Sequence, residues 1–394
     1  MAPRDKSESA AKTAPETALR GPAAGAVEPG KRPTLKTIAE IANLGVTTVS
    51  RALKDGPEIG EDTKKRVRRI ARDIGYRPDR AGVRLRTGKT NVISLVLNPH
   101  EEVMGYGTSM IFGISQALRD TAYHLVVTPH FLEGDPMEPI RYIIETGSAD
   151  GIILSRTRPQ DERIRYLLEM GFPFVCHGRS ELATPHPFHD FDNYAFAFEA
   201  AKRLIEKGRQ RLCIIAPPEG VTYHNHMMMG FERAAHQFGA ATVPAPGPAP
   251  GINTDTAPED IRGILRQMMA QSDPPDGFIC SGDISALALT AGLRDAGMTP
   301  GREFDLVAKQ TSSALDHTTP AIDTIFEDLT ATGHTLASLL VRRINDEPVE
   351  NLQTVREPEL RFRTAGPATN APDSQIQDSQ TQDSRTLGSQ PEQV

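Results

Sequence analysis

Cysteine is scarce in this chain of 394 residues, and its three copies lie far apart at Cys176, Cys213 and Cys280. Each lies in an apolar run typical of a strand, so we predict buried thiols rather than a disulfide framework or a metal site. Long apolar runs are also missing: no stretch approaches membrane-spanning length, and the N-terminus lacks the apolar core of a signal peptide. The expected location is the cytoplasm, with no membrane partner.

Enzyme signatures are missing as well. The sequence has no G-x-S-x-G elbow, no metal-ligand spacing and no phosphate-binding loop, and the Gly-Tyr-Gly at 105–107 lacks the spacing of a dinucleotide fingerprint. We expect no cofactor. An enzyme stays open as an alternative at this point, because α/β folds often carry catalysis. One candidate acid-base pair is His177 with Glu181. Another is Asp283 with His224.

Charge is unevenly distributed along the chain. The whole sequence has 44 Lys and Arg against 51 Asp and Glu. Residues 33–90, by contrast, contain fourteen basic and seven acidic residues, an excess of seven positive charges. Such a concentration of cations gives salt-dependent attraction to phosphates, while the acidic remainder limits nonspecific binding elsewhere. The charge distribution therefore favours a nucleic-acid partner for the N-terminal part alone.

Residues 34–51, TLKTIAEIANLGVTTVSR, have the pattern of two short amphipathic helices joined by a tight turn. In the first helix, apolar residues recur at helical spacing behind Thr34, whose hydroxyl is suited to cap the helix. The apolar positions of the second helix are Val46, Val49, Ala52 and Leu53. Its outward side chains are short hydroxyl groups and Arg51, which suit base edges and phosphates in a major groove. The pattern predicts a helix-turn-helix that binds DNA.

A third amphipathic segment follows, with apolar residues on one side and cations on the others. The cations are Lys64, Lys65, Arg66, Arg68, Arg69 and Arg72. Most of them are expected to form a solvated face, and Lys64 is expected to affect the salt dependence of DNA binding more than its sequence preference. Farther on, Leu85 lies among four cations, a pattern that suits an apolar wedge in a minor groove.

These features resemble the lactose/galactose repressor (LacI/GalR) family of bacterial transcription regulators. The resemblance runs from about residue 33 to about residue 365. It is most specific over residues 34–90, where a TVSR-type recognition helix, a GY-x-P turn and a hinge follow without gaps. It implies an α/β chain with an N-terminal three-helix helix-turn-helix DNA-binding domain and hinge, followed by a two-lobed periplasmic-binding-protein-like domain of parallel sheets. It also implies a sequence-specific regulator that binds a palindromic double-stranded DNA operator.

The resemblance assigns the DNA contacts residue by residue. Its base-reading positions fall on Val46, Thr47 and Arg51, with Leu35 also on the major-groove side. Its phosphate contacts fall on Thr34, Thr48, Ser50, Thr63 and Tyr76, and its minor-groove wedge falls on Leu85. Gly45 departs from the family, which usually has a small hydroxyl residue or alanine at that cap.

Composition and resemblance together divide the chain into five parts. Residues 1–32 and 366–394 lack aliphatic periodicity, which predicts disordered tails. Between them we expect the helix-turn-helix domain at 33–77, the hinge at 78–90, and a two-lobed effector-binding and dimerisation domain at 91–365. No leucine heptad occurs at the C-terminus. We therefore expect a homodimer rather than a tetramer.

Strand-like apolar runs alternate with helical patterns across the larger domain, which favours parallel α/β sheets. The runs are 92–97, 124–128, 151–154, 174–176, 212–216, 277–280 and 305–308. The resemblance adds that the chain crosses three times between the two lobes. We place these crossings near Asp190, Asp323 and Gln353.

Polar residues follow several of these strands, at the positions where parallel sheets place their ligand sites. The candidate effector-binding residues are Asn98, His100, Arg156, His177, Arg179, Tyr223, Asn225, His226, Asp283, Gln310 and Glu327. Their amide, carboxylate and guanidinium groups suit a hydroxyl-rich ligand. An aromatic face for such a ligand would come from Tyr106, Phe131, Tyr223 or Phe231.

Two positions depart from the family's pattern for binding sugars. Met227 stands where the family usually has an arginine, and Gln310 stands where it usually has an aspartate. Fewer charged anchors favour a neutral sugar or glycoside over a purine or a phosphorylated sugar as the small-molecule effector. We expect a dimeric repressor whose operator affinity such a ligand controls. The same departures keep open a DNA-binding regulator that responds to no small molecule.

Overall fold

Three short helices form the first unit of the structure. The structure is a computed structural model that describes residues 32–77, 84, 88–98, 101–248 and 251–363, and it separates into two compact units between Thr90 and Asn91. Helix α1 spans Leu35–Ala42, α2 spans Val46–Leu53 and α3 spans Glu61–Asp73. The buried side chains of their small core are Ile38, Ala39, Val49, Ala52, Val67 and Ala71.

The two helices of the helix-turn-helix begin differently. Thr37 N donates to Thr34 Oγ1 at 3.3 Å and Thr34 N donates to Thr37 Oγ1 at 3.1 Å, so α1 has a reciprocal cap. Helix α2 begins after Gly45, which offers no side-chain acceptor. The position of α2 therefore depends on the buried Val49 and Ala52 rather than on a side-chain cap.

Ion pairs fasten α3 to the segment that follows α2. Lys64 Nζ lies 2.9 Å from Glu61 Oε1 and 3.3 Å from Asp55 Oδ1, and only 8 % of the Lys64 side chain is exposed. Arg68 contacts the same Asp55 carboxylate at 2.7 Å. The expectation that Lys64 belongs to a solvated face is therefore wrong, because this cation is buried against two carboxylates of its own unit.

Two six-stranded sheets form the framework of the second unit. In chain order the strands are β1 Val92–Leu97, β2 His124–Pro129, β3 Gly151–Leu154, β4 Phe174–His177, β5 Phe188–Phe191, β6 Arg211–Ile215, β7 Ala241–Val243, β8 Gly277–Cys280, β9 Asp305–Gln310, β10 Asp323–Phe326, β11 Gln353–Arg356 and β12 Glu359–Arg361. The first sheet has the order β11-β5-β4-β3-β1-β2 and the second β12-β10-β9-β8-β6-β7. All neighbours are parallel except β10 and β12.

Helices cover the sheets, as parallel strands require. They are α4 Glu101–Leu118, α5 Glu138–Thr146, α6 Glu162–Glu169, α7 Asn193–Glu206, α8 Thr222–Phe238, α9 Pro258–Met269, α10 Asp283–Asp295 and α11 Leu329–Ile344. Short 3₁₀ turns occupy Ala314–His317 and Val349–Asn351. We define lobe 1 as the first sheet with α4, α5, α6 and α11, and lobe 2 as the second sheet with α7 to α10.

The chain passes between the lobes three times. It leaves lobe 1 at residue 192, between β5 and α7, and returns at residues 327–328, between β10 and α11. It leaves again at residues 357–358, between β11 and β12. These crossings lie two to five residues after the positions expected from the sequence, because β5, β10 and β11 each continue to the crossing.

Helices α4 and α11 approach each other closely in lobe 1. A Cβ atom on Gly113 would lie 2.0 Å from the carbonyl oxygen of Thr330, and one on Gly333 would lie 2.4 Å from that of Met110. No larger residue fits at either place without moving a helix. This contact fixes Tyr106, on the first turns of α4, relative to Glu327, which directly precedes α11.

Candidate DNA-reading surface and ligand cleft

The outward face of α2 presents the side chains that the sequence assigned to DNA. Val46 is 45 % exposed although it is apolar, Thr47 is exposed, and Thr48 and Ser50 are half-buried. The Arg51 side chain is 59 % exposed, and its Nε lies 3.4 Å from Glu58 Oε1. A row of accessible hydroxyl, methyl and guanidinium groups on one helix can contact both base edges and phosphates.

The other positions assigned to DNA contact lie before and after α2 in the sequence. Thr34 is exposed, and Leu35, Thr63 and Tyr76 are half-buried, so each keeps some surface available to a partner. Leu85, the assigned minor-groove wedge, lies outside the described residues. The surface of the first unit thus carries nine of the ten assigned side chains, and none of these nine is buried.

A cleft between the lobes of the second unit encloses about 900 Å³, including space open to solvent. The ends of β1, β3, β4, β8 and β9 contribute to its walls, as expected for parallel sheets. Its lining residues are Leu97, Asn98, Tyr106, Ser155, Arg156, His177, Gly178, Asp190, Phe191, Asn193, Pro217, Tyr223, Met227, Thr254, Asp255, Ser281, Gly282, Lys309, Thr311 and Glu327. Polar groups and three aromatic rings therefore face one space.

A buried ion pair lies at the centre of the cleft wall. Lys309 Nζ is 2.6 Å from Glu327 Oε2, donates to Asn193 Oδ1 at 3.0 Å, and lies 4.3 Å from the centre of the Phe191 ring. Burial alone would raise the pKa of Glu327, but Lys309 and His177 favour the carboxylate more strongly and lower the pKa to about 2. The pair is therefore ionised, and each charge is neutralised inside the protein.

His177 connects this pair to lobe 1. Its Nε2 lies 3.3 Å from Glu327 Oε1, and its Nδ1 lies 2.5 Å from the Tyr106 hydroxyl oxygen. Because an ionised carboxylate only accepts, Nε2–H of His177 is the donor to Glu327, which leaves Nδ1 facing the Tyr106 hydroxyl. Burial raises the pKa of Tyr106 well above its usual range, so this hydroxyl keeps its proton.

Two further contacts cross the cleft. Arg156, after β3, makes paired bonds of 2.9 and 2.6 Å to the two oxygens of Asp255 in lobe 2. The next carbonyl, of Thr157, accepts from the amide of Thr222 at 2.9 Å. Arg156 has a φ of 54°, in the left-handed region, so its backbone is held in a conformation that few arginines adopt.

The structure brings five of the eleven candidate effector residues to the cleft wall. They are Asn98, Arg156, His177, Tyr223 and Glu327. His100 lies outside the described residues. Of the aromatic candidates, Tyr106 and Tyr223 line the cleft, whereas Phe231 is buried in the core of lobe 2 and Phe131 is exposed elsewhere. Met227, at the family's usual arginine position, lines the cleft as an apolar group.

The other five candidates are not among the lining residues. Arg179 Nε contacts Asp190 Oδ2 at 3.0 Å, and of these two residues Asp190 lines the cleft. Asn225 and His226 are half-buried on α8. Asp283 accepts from the amide and hydroxyl of Thr311. Gln310 is 1 % exposed and donates to the carbonyl oxygen of Ser312 and to Asp316.

Sequence reasoning missed several side chains that line the cleft. On β9 the wall is formed by Lys309 and not by Gln310, because neighbouring residues of a strand point to opposite faces. That alternation indicates that only one of the two residues faces the cleft, but it does not say which one. Asp255 comes from the loop between β7 and α9, which has no periodic pattern, and only the fold brings it to Arg156.

Comparison with known proteins accounts for both units. The model of bacterial regulatory proteins of the lacI family matches residues 34–79, and that of the periplasmic binding protein-like domain matches residues 201–365. The HTH-type transcriptional regulator AglR of Rhizobium meliloti (strain 1021) is 30 % identical over 345 residues, which cover 85 % of this chain and 94 % of AglR. The similarity therefore extends across the two units.

Two solved structures show the same fold. A transcriptional regulator CelR-cellobiose complex has a TM-score of 0.60 and 24 % identity, and it covers 84 % of this chain and 98 % of its own. The lac repressor dimer bound to operator and the anti-inducer ONPF has a TM-score of 0.73 and 16 % identity, with the same coverage. At these identities the likeness shows the fold alone.

The helix-turn-helix, the two-lobed unit and these relatives define a DNA-binding transcriptional regulator and not an enzyme. Within that class, the chain belongs to the lacI family of bacterial regulatory proteins. The family and the fold class predicted from the sequence are thereby confirmed. In the described part of the chain, no helix combines the length and apolar character needed to cross a membrane.

Proposed function

We propose that this regulator is a dimeric repressor whose affinity for a palindromic operator is controlled by a neutral sugar or glycoside bound in the cleft. The outward face of α2 enters the major groove, with Val46, Thr47 and Arg51 reading bases. Leu35 also lies on the major-groove side, and Leu85 is the minor-groove wedge. The phosphate contacts are made by Thr34, Thr48, Ser50, Thr63 and Tyr76. The observation that carries the choice of effector is the charge balance of the cleft.

Every cation that the described residues bring to the cleft wall already has a carboxylate partner. Lys309 is paired with Glu327 and Arg156 with Asp255, and Asp190 is the third carboxylate on the wall. A phosphorylated ligand would meet more negative than positive charge and would have to break these pairs to gain a cation. Hydroxyl groups of a neutral ligand can instead accept from the cations and donate to the carboxylates while the pairs remain intact.

A similar structure supports the same ligand class. It is a regulator in complex with cellobiose, and another is a repressor dimer bound to its operator. In this chain Tyr106, Phe191 and Tyr223 supply aromatic surface in the cleft, which can pack against the apolar face of a sugar ring.

Exposed apolar side chains on lobe 1 support a dimer. Phe112 on α4 is 56 % exposed, and Val126 and Val127 on the edge strand β2 are 47 % and 42 % exposed. Phe131 and Leu132, just after β2, are exposed as well. Exposed apolar side chains grouped on neighbouring elements of one lobe often mark a protein contact, and we assign them to the second copy of the chain.

Control of DNA binding then follows from the relative position of the lobes. A ligand that bonds to both lobes changes their closure, and therefore changes how lobe 1 meets the partner subunit and how the two hinge segments are spaced. The ligand acts only through a difference in affinity between the DNA-bound and free arrangements. An inducer favours the free arrangement, and a corepressor favours the bound one.

The test is fluorescence anisotropy of the full chain on labelled DNA from upstream of its own and neighbouring genes. The titration is repeated with cellobiose, maltose, other neutral disaccharides, glucose 6-phosphate and hypoxanthine. Tight, salt-sensitive binding that one neutral sugar releases supports the proposal. Release by the phosphate or the nucleobase alone contradicts the proposed ligand class, and absence of binding to any of these DNAs contradicts the proposed operator.

A regulator without a small-molecule response is the second candidate, and a specific observation favours it. Arg156 with Asp255, and Thr157 with Thr222, join the lobes directly. Such contacts would hold the lobes together in the absence of any ligand. The same anisotropy experiment separates the candidates, because this regulator binds its operator equally well with every compound in the panel.

A further inference from the structure

Lobe 2 has a second concave site, which we call the lobe 2 pocket. It encloses about 870 Å³, including space open to solvent, and lies between α8, the ends of β6 and β7, and the segment that follows β7. Tyr223 and Met227 line the cleft from one face of α8, whereas His224, Met228 and Glu232 line the lobe 2 pocket. These three residues are four positions apart and therefore share another face of the helix.

The floor of the lobe 2 pocket is apolar and reaches the core of the lobe. Ile214 on β6, Phe231 on α8 and Ile252 after β7 line it, although each is 5 % exposed or less. Met228 and Val243 add half-buried apolar surface. An apolar group that enters the pocket removes its own surface and this floor from water together, which favours binding.

The fully charged groups of the lobe 2 pocket are carboxylates. Glu219, after β6, and Glu232, on α8, both line it and are exposed. Among the described residues that line the pocket there is no Lys or Arg, and neither carboxylate forms an ion pair with any part of the chain that the structure describes. Their oxygens are therefore available to accept from a ligand, and the local charge favours a cation.

His224 contributes a nitrogen to the same wall. Its Nδ1 lies 2.7 Å from the carbonyl oxygen of Pro217. Because a carbonyl oxygen only accepts, Nδ1–H is the donor, and in the neutral ring Nε2 is then an acceptor. The wall thus combines two carboxylates with an imidazole nitrogen that also suits an N–H donor.

We propose that the lobe 2 pocket is a second ligand site, which binds a small organic amine with an apolar body. The ammonium group contacts the Glu219 and Glu232 carboxylates, and the apolar body covers Ile214 and Phe231. An anionic ligand of the same shape is repelled by the two carboxylates, and a cation without an apolar body gains nothing from the floor. The inference does not depend on which effector binds in the cleft.

The first experiment measures binding of hexylamine to the full chain by calorimetry. Hexanoate carries the opposite charge on a chain of the same length, hexanol carries none, and methylamine lacks the apolar body. Hexylamine should bind with a Kd of about 1 mM or below, and the other three about 10-fold or more weakly. Absence of hexylamine binding would overturn the proposal. Equal binding of hexanoate or hexanol would contradict a cation site, and equal binding of methylamine would contradict the role of the floor.

The second experiment locates the amine with variants. Glu219→Gln and Glu232→Gln should each weaken hexylamine binding about 2- to 5-fold, the loss expected for an exposed ion pair. Met228→Trp fills the pocket without a change of charge and should weaken binding about 10-fold or more. The matched control is Glu206→Gln, which removes an exposed carboxylate at the end of α7 in the same lobe and should bind as wild type does. Equal losses in the control and the two pocket variants would overturn the site.

The cleft and a protein partner are the other places where a cation could bind. Asp190 is a third carboxylate on a cleft wall that has two cations. Asp190→Asn should therefore keep the affinity for hexylamine, and a loss in this variant alone would move the amine to the cleft and overturn the lobe 2 site. A short peptide of alternating lysine and alanine is the last arm. If it binds while hexylamine does not, the pocket receives basic side chains of another protein, which contradicts a small ligand.

Discussion

The two units of this regulator present their functional groups in opposite ways. In the first unit, the outward residues of α2 lie within six positions of the sequence, are partly or fully accessible, and are held by a core of small and aliphatic side chains. In the second unit, the polar groups of the cleft come from seven or more separate segments, are mostly buried, and are bonded to one another. A surface that reads DNA can be local, whereas a site that encloses a small ligand has to be assembled by the fold.

The difference has an energetic consequence. Removal of an accessible side chain such as Arg51 leaves no buried group without a partner, so its effect should appear in DNA binding and not in stability. Removal of one member of the Lys309–Glu327 pair leaves a buried charge, so its effect should appear in stability before any ligand is added. The contrast between the units is therefore tested by DNA binding for substitutions in the first unit and by stability for substitutions in the second.

The largest effect is expected for Glu327→Gln. The change leaves the buried Lys309 ammonium without its carboxylate, which should lower the free energy of unfolding of the second unit by about 3–5 kcal/mol. Urea unfolding of the unliganded chain measures it. The control is Glu347→Gln, which breaks the exposed pair with Arg342 and should cost far less. Equal losses for the two variants would show that the cleft pair is not screened from water.

The second prediction concerns pH. His189 on β5 is 6 % exposed, and burial together with the nearby His177 lowers its pKa to about 4. It is therefore neutral in the folded protein, while the unfolded chain takes up a proton below about pH 6.5. Its contribution is complete above pH 6.5 and is lost as the pH falls to about 4, a change on the order of 3 kcal/mol.

The first unit offers an internal control for this pH dependence, because residues 1–90 contain no histidine. Scanning calorimetry of the full chain between pH 7 and pH 4.5 should move the transition of the second unit down and affect the first much less. In His189→Gln, the transition temperature of the second unit should depend less on pH. If the transition temperature of the wild type changes with pH just as that of the variant does, His189 is protonated freely in the folded state.

For Arg51→Ala we expect a loss of about 1–3 kcal/mol in specific DNA binding, with relaxed discrimination at one base position. Anisotropy on an operator and on its single-base variants measures both quantities, with the salt concentration held constant. Arg69→Ala on α3, another exposed cation of the same unit, is the control and should leave base discrimination unchanged. If both variants weaken all DNAs equally, Arg51 contacts the backbone rather than a base.

The sequence predicted the functional residues of the first unit better than those of the second, because the first lie close together in sequence and the second do not. Helix periodicity is local, so α1, α2 and their turn were evident from Thr34 to Arg51. The buried strands were equally evident, because they are apolar on both faces. Strands such as β11 and β12, which are exposed at the sheet edges, have no such pattern and were not predicted.

The cleft shows where local patterns stop being informative. Strand ends identified Asn98, Arg156 and His177 as polar groups near a ligand site, since parallel strands converge there. They did not distinguish Lys309 from Gln310, because that choice depends on which face of β9 meets lobe 1. Asp255 required the loop after β7 to fold back onto Arg156. Contacts between distant segments depend on the tertiary structure, which no single segment encodes.

The smallest effect is expected within the first unit itself, from two adjacent lysines. Lys64→Ala removes the cation that joins Glu61 and Asp55, so the midpoint of unfolding of this unit should fall while the salt dependence of operator binding stays the same. Lys65→Ala removes an exposed cation and should leave the midpoint unchanged. Calorimetry and anisotropy at several salt concentrations measure the two properties. The opposite result would be an unchanged midpoint in Lys64→Ala with a weaker dependence of operator affinity on salt concentration. It would show that Lys64 contacts DNA, because only a cation that displaces counterions from phosphates alters that dependence.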